Sequence, residues 1–176
     1  MISMRVTTRL ITLDDADALA ALVAANREFM APWDPVRPEE YYTLDGQAAV
    51  LRTALASHGR GAMLPHVICV DGEVAGRVNL NDVVQGAFQN GNLGYWVDQS
   101  RNGRGVATAA VESILHIAFT ELGLHRVQAG TLPGNIGSQR VLERNGFERF
   151  GYAPQYLNIA GAWQDHVLFQ RINPAA

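Results

Sequence analysis

The stretch "NLGYWVDQSRNGRGVATAAVESILHIAFTELGLHRVQAGTL", Asn92 to Leu132, decides the fold. Its first residues, through Asp98, are rich in apolar and aromatic side chains and read as a strand. Gly103 and Gly105 follow, one residue apart, in "RNGRGVATAA". From Val106 the apolar residues recur at Ala110, Ile114, Ile117 and Ala118, the spacing of one buried helical face. Gly123 stops that helix, and "HRVQAGTL" reads as a second strand. Strand, glycine loop, helix and strand in that order predict a right-handed parallel crossover.

Such a loop presents unpaired backbone amides at the positive end of a helix, where an anion can bind. Side chains at positions 103 and 105 would keep a phosphate oxygen away from those amides. Three anion-binding loops compete for this pattern. A nucleotide P-loop needs a closing Gly-Lys-Ser/Thr, which the chain lacks. A dinucleotide fingerprint needs an acid at the end of the next strand, and that strand ends "AGTLPGN". The third is the pyrophosphate loop of acyl-coenzyme A transferases.

Outside this crossover, "MRVTTRLI" (4–11) reads as a strand and "ADALAALVAANREFM" (16–30) as one helix, opened by Thr12 and Asp15. Pro32, Pro35 and Pro38 make a stiff connection to a further helix, 44–57. "LPHVICV", "EVAGRVNLNDVV" and "NLGYWVD" predict an antiparallel meander, with Asp71-Gly72 as a hairpin turn. "GNIGSQRVLERNGF" is a short helix with Asn135 as N-cap and a left-handed residue supplied by Asn145-Gly146. "FERFGY" and "WQDHVLFQRI" close the chain as strands. The expectation is an α/β (α+β) protein, one domain over 1–176, with a mixed central sheet of six to seven strands flanked by helices.

Composition narrows the function. Of the 176 residues, 48% are hydrophobic and 18% charged, which excludes a disordered chain, and a formal net charge of -3 predicts no direct nucleic-acid binding. No signal-peptide or membrane-span pattern is present, so a cytoplasmic protein without membrane attachment is expected. The single cysteine, Cys69, reads as a buried, inert thiol. His58, His66, His116 and His125 have no ligand spacing, and no metal is expected.

The loop and its flanks resemble the GNAT acyltransferases. Their pyrophosphate motif is Arg/Gln-x-x-Gly-x-Gly/Ala, and Asn102-Gly103-Arg104-Gly105-Val106-Ala107 stands in its place, departing only at Asn102. "NREFMAPWDPVR", "NLGYWVDQSRNGRG" and "HRVQAGTLPGNIGSQRVLERNGFERFGYAPQYLNIAGAWQDHVLF" are similar to the RimJ/RimL branch, nearer its RimJ side, which acetylates the N-terminal alanine of a ribosomal protein. The likeness spans nearly the whole chain outside 44–65. It implies a GNAT fold whose parallel fourth and fifth strands splay apart, acetyl-CoA as co-substrate, and direct transfer to an N-terminal α-amine in a ternary complex.

The resemblance also implies roles. Ser138 is the catalytic acid. Coenzyme contacts fall on Trp96, Val97, Asn102, Gly103, Arg104, Gly105, Val106, Ala107, Thr108, Asn135 and Arg144. Trp33, Asn92 and Tyr156 are the acceptor-site residues, Asn92 standing where the RimL branch carries a glutamate base. With that carboxylate missing, a water relay to Asp165 or Glu28 is the expected route for the amine proton. His166 reads as structural, whereas Trp33, Tyr152, Tyr156 and Trp163 suit either packing or the acceptor cleft. Arg140 and Arg144 suit either a ribose phosphate or solvent. Two alternatives stay open: an acetyltransferase for a small amine such as an antibiotic or polyamine, and a non-catalytic CoA-binding or ribosome-assembly protein. The protein is expected to be a monomer or a homodimer.

Overall fold

A computed structural model describes residues 4–175; the first three residues and the last of the expected 1–176 domain lie outside the described residues. Seven strands form one sheet: β1 (Val6–Leu10), β2 (Leu64–Val70), β3 (Glu73–Val84), β4 (Asn90–Val97), β5 (Arg126–Thr131), β6 (Glu148–Ile159) and β7 (Ala162–Ile172). Their spatial order is β1-β2-β3-β4-β5-β7-β6, and every neighbouring pair is antiparallel except β4 with β5. The helices are α1 (Ala16–Ala25), α2 (Arg27–Met30), α3 (Leu44–Gly59), α4 (Val106–Thr120) and α5 (Ile136–Arg144).

Two-residue turns drive the meander. Asp71 and Gly72 both take positive φ, 52° and 91°, the backbone of a hairpin turn that matches strand twist. Ala160 and Gly161 do the same at the tip of the β6–β7 hairpin, with φ of 52° and 82°. That hairpin is longer than its sequence pattern suggests, because Gln155 at φ 47° marks a break in register that carries β6 on to Ile159.

Alternation along the strands sorts side chains onto two faces. Leu93 and Val97 pack with Val106, Ala110, Ile114 and Ala118 of α4, together with Val78, Leu80, Val127 and Phe169. On the other face Val67, Cys69 and Trp96 pack with Leu19 of α1 and with Leu51 and Ala54 of α3. Cys69 is buried there as a free thiol.

The single helix expected over 16–30 is two helices. Asn26 breaks it: the side chain is 2% exposed, its Nδ2 donates to Leu22 O and to Asp98 Oδ1, both at 2.9 Å, and its Oδ1 accepts from Gln99 N at 2.8 Å. An amide that could have been a solvated helical position instead ties the turn between α1 and α2 to the end of β4.

His66, on the α4 face of β2, carries a pH dependence. Burial pushes its pKa down to about 4, and Thr8 Oγ1 lies 3.3 Å from Nδ1. The unfolded chain takes up this proton near pH ~6.5, so stability is full above that value and falls as pH drops toward 4. Urea titrations should show a loss of about 2–3 kcal/mol across that window, absent in His66→Gln. An unchanged acid dependence in the variant would assign the loss elsewhere.

Candidate functional site

The β4–β5 ladder is short. Residues 90, 91 and 92 pair with 126, 127 and 128, after which the strands part, although β4 continues to Val97 and β5 to Thr131. The expected splay is therefore present, and it leaves backbone groups of Leu93–Val97 facing a gap. A cavity of about 1010 Å³ passes through this gap. From the α4–α5 face it is lined by Leu93, Tyr95, Asn135, Ser138 and Leu142, and from the α1–α3 face by Trp33, Arg37, Tyr41, Arg77 and Trp96. Thr131 Oγ1, buried at the edge of the gap, has no hydrogen-bond partner among the described residues.

On the first face, Asn135 caps α5 by accepting from Ser138 N at 3.1 Å. This places Ser138 one turn in, with its Oγ 2.8 Å from Tyr95 Oη, while the same phenol donates to Ser138 O at 3.2 Å. Burial pushes the Tyr95 pKa up to about 12, so the phenol keeps its proton near neutral pH. Tyr95 is absent from the expected site. Its signal was the alternation that puts Leu93, Tyr95 and Val97 on the face where α5 lies.

Beyond the end of β4, Gly103 and Gly105 take φ of 74° and 79°, which other residues adopt at a cost. Among the described residues, no acceptor meets the amides of Gly103, Arg104, Gly105, Val106, Ala107 or Thr108, and α4 has no side-chain cap. The loop is thus a row of open N–H groups at a helix N-terminus. Arg101 is paired with Glu73 at 3.2 Å, whereas Arg104 is exposed without an acidic partner among the described residues. Asn145 Nδ2 donates to Thr108 O at 3.2 Å and to Val141 O at 3.0 Å, locking the first turn of α4 to α5. Cradle and Ser138 are held by one connected frame.

The opposite face is walled by the proline-rich segment. Arg37 binds Asp34 through two hydrogen bonds of 2.8 and 3.0 Å and stacks its guanidinium over the Tyr41 ring at 4.7 Å. Ala160 N donates to Asp34 O at 3.0 Å, joining this segment to the β6–β7 hairpin. Trp33 lines the cavity at 38% exposure.

His166, read from the sequence as a structural histidine, is buried on β7. It is 4% exposed, yet it lines the cavity beside Gly130, at the β5 edge of the gap. Its Nδ1 lies 3.0 Å from Gln164 O, a partner that can only accept, so Nδ1 is the donor. Tyr156 packs edge-on against the ring at 5.5 Å, outside the cavity lining.

The remaining expected residues sit elsewhere. Asn92 is exposed, outside the cavity lining, with Nδ2 3.5 Å from Asp82 Oδ2. Asp165 accepts from Tyr152 Oη at 2.6 Å and Gln155 N at 2.8 Å, which hold its pKa below the usual range, and it too is outside the lining. Glu28 is exposed on α2. Arg144 is exposed in the last turn of α5, and Trp163 is 64% exposed. Val97 is buried in the core, and Trp96 packs toward α3, so only their backbone can serve a ligand on the α4 side.

A strand pair that splays around a through-going cavity, with an open amide cradle at its end, is matched by a family model described as "Acetyltransferase (GNAT) domain" over residues 5–148. The chain is a GNAT acetyltransferase. It is 35% identical over 172 residues to the [ribosomal protein uS5]-alanine N-acetyltransferase of Escherichia coli, covering 97% of this chain and 89% of that one. It is 34% identical to the probable N-acetyltransferase YjcK of Bacillus subtilis, covering 94% and 93%. RimJ of Mycobacterium smegmatis, solved in complex with CoA-disulfide, superposes with a TM-score of 0.92 at 34% identity, covering 95% of this chain and 81% of that one. The GNAT assignment and the RimJ/RimL likeness of the sequence hold, as does its reading as an acyltransferase. No helix among the described residues is long and apolar enough to cross a membrane.

Proposed function

We propose that the chain, acting as one domain over 1–176, transfers the acetyl group of acetyl-CoA to the N-terminal α-amine of a protein of the ribosomal-protein alanine kind, directly and within a ternary complex. The observation that carries this is the cavity through the β4–β5 gap, open to Ser138 on one face and to Trp33 and His166 on the other. Two reactants entering from opposite faces meet in the gap without an acyl-enzyme. The likeness to RimJ, which was solved with a CoA-disulfide, supports the choice of coenzyme.

The backbone of Leu93–Val97 offers the pantetheine arm strand-like hydrogen bonds, and the amides of 103–108 receive the pyrophosphate. An amide beside the thioester carbonyl stabilises the oxyanion of the tetrahedral intermediate. The amine attacks as the free base, and His166 Nε2 accepts its proton. Ser138 Oγ donates to the departing sulfur and is resupplied by Tyr95, whose phenol is the stronger acid of the two hydroxyls.

Ser138→Ala should lower kcat by roughly 10²-fold with little change in coenzyme affinity. Tyr95→Phe should give a smaller loss, because it acts only through Ser138. Full turnover by Ser138→Ala would remove the hydroxyl from the reaction.

The reading itself is tested by following free-thiol release from acetyl-CoA with Ala- and Ser-initiated peptides beside a panel of polyamines and aminoglycosides. Peptide-dependent release is expected. Acetylation confined to small amines would move the protein to that class. Coenzyme binding with no acceptor turnover would leave a CoA-binding protein.

A further inference from the structure

Arg77, at the centre of β3, is 7% exposed and lines the cavity. In the sheet it lies between Val67 and Trp96, its register partners on β2 and β4, both of which belong to the apolar layer under α1 and α3. Its Nε is buried without a partner, and its one hydrogen bond among the described residues runs from a terminal nitrogen to Asn79 Oδ1 at 3.1 Å. No carboxylate pairs with it among the described residues. Asp15 is held by two hydrogen bonds from Arg9, at 2.6 and 2.9 Å, and Asp34 by two from Arg37.

A buried guanidinium without a counter-ion is unfavourable, and proteins as a rule either pair it or replace it. Burial pulls the Arg77 pKa down, yet a guanidinium stays charged across the physiological range. The one direction from which a counter-charge can arrive is the cavity. On β3 and β4, Arg77 and Asn79 sit opposite Trp96 and Gly94, on the α1–α3 face of the strand that borders the gap. A group reaching Arg77 from the gap therefore belongs to the acceptor, within a few bonds of the amine.

We propose that Arg77 is a specificity-determining residue that binds a carboxylate of the acceptor, an acidic side chain on one of the first residues after the acetylated amine. This rests on the reading of the α1–α3 side of the cavity as the acceptor site. Nε and Nη1 have no partner among the described residues, and Nη2, oriented by Asn79, keeps a second N–H, so the guanidinium retains donors for a carboxylate.

The test uses Ala-initiated peptides with Glu at the second or third position, each beside its Gln counterpart, on wild type, Arg77→Met, Arg77→Gln and Arg77→Lys. Turnover is read as separate kcat and KM, and binding of the same peptides to the CoA-saturated protein by calorimetry. Wild type should favour the Glu peptide by roughly tenfold or more through KM. Arg77→Met and Arg77→Gln should abolish the preference with kcat within about twofold, and Arg77→Lys should keep part of it. Arg77→Met should melt at or above wild type, since it removes an uncompensated buried charge; if it fails to fold, Arg77→Gln and Arg77→Lys carry the comparison.

A wild type that treats Glu and Gln peptides alike, or an Arg77→Met that keeps the preference, overturns the proposal while peptide acetylation stands. If no peptide is acetylated, the acceptor reading falls and calorimetry still decides. Tighter binding of the Glu peptide by wild type than by Arg77→Met upholds the carboxylate site, and equal affinities overturn it.

Discussion

Gly105→Glu should lose at least roughly 10²-fold in affinity for coenzyme A, measured by calorimetry at fixed ionic strength. Three effects act together. At φ 79°, a residue with a Cβ pays about 1–2 kcal/mol to keep the backbone that aims the amides. The added carboxylate takes the electrostatic place of the pyrophosphate at the head of α4. Its side chain also stands between phosphate oxygens and the amides of Val106 and Ala107. A Cβ at Gly105 meets no protein atom within 4 Å, so the substitution has no steric quarrel with the fold. The backbone strain should lower the melting temperature by only a few degrees, so a large loss of affinity in a protein that still melts cooperatively would report on the ligand. Gly105→Asn separates the effects, since asparagine tolerates positive φ and adds no charge; it should lose less affinity than Gly105→Glu by the electrostatic share. Unchanged affinity in Gly105→Glu would show that the loop holds no phosphate.

The crossover and its loop were legible because their signals are local. Helical spacing from Val106, capping by Asn135 and the Asp71-Gly72 turn each depend on a few neighbouring residues, and each stands where its pattern places it. The acceptor side was less legible because its residues act through long-range contacts. Asn26 interrupts what periodicity reads as one helix, since its partners are Asp98 and Gln99, more than seventy positions away. Tyr95 meets Ser138 across forty-three positions, and Arg77 gives no sign in sequence that its neighbourhood is apolar and without a free carboxylate.

His166 also depends on long-range contacts for its place beside the cavity. The alternation in "DHVLF" correctly sets it on the face opposite Asp165 and Phe169. Burial alone would make it structural. Only the splay of β4 from β5, and the small Gly130 beside the ring, place a buried histidine at the border of a cavity. His166 lines the cavity, whereas Asp165 and Glu28 lie outside its lining, and this is what favours His166 as the proposed base.

His166→Gln should therefore lower kcat/KM for a peptide acceptor by roughly 10²–10⁴-fold, with coenzyme affinity retained. Glutamine can still donate to the Gln164 carbonyl and fill the space beside Tyr156, but it cannot take a proton. The pH profile separates a base from a packing residue. An α-amino group loses its proton near pH ~8, so its free-base fraction rises with pH in wild type and variant alike. Wild type has a second advantage at lower pH, because imidazole accepts the proton that the tetrahedral intermediate must shed. In the variant that proton goes to solvent, and hydroxide becomes more effective as pH rises. The deficit should therefore be largest near neutrality and shrink toward alkaline pH, and added imidazole should restore part of the rate. A loss that is uniform with pH and accompanied by a lower melting temperature would instead mark His166 as a packing residue. The amine would then pass its proton by a route that avoids β7.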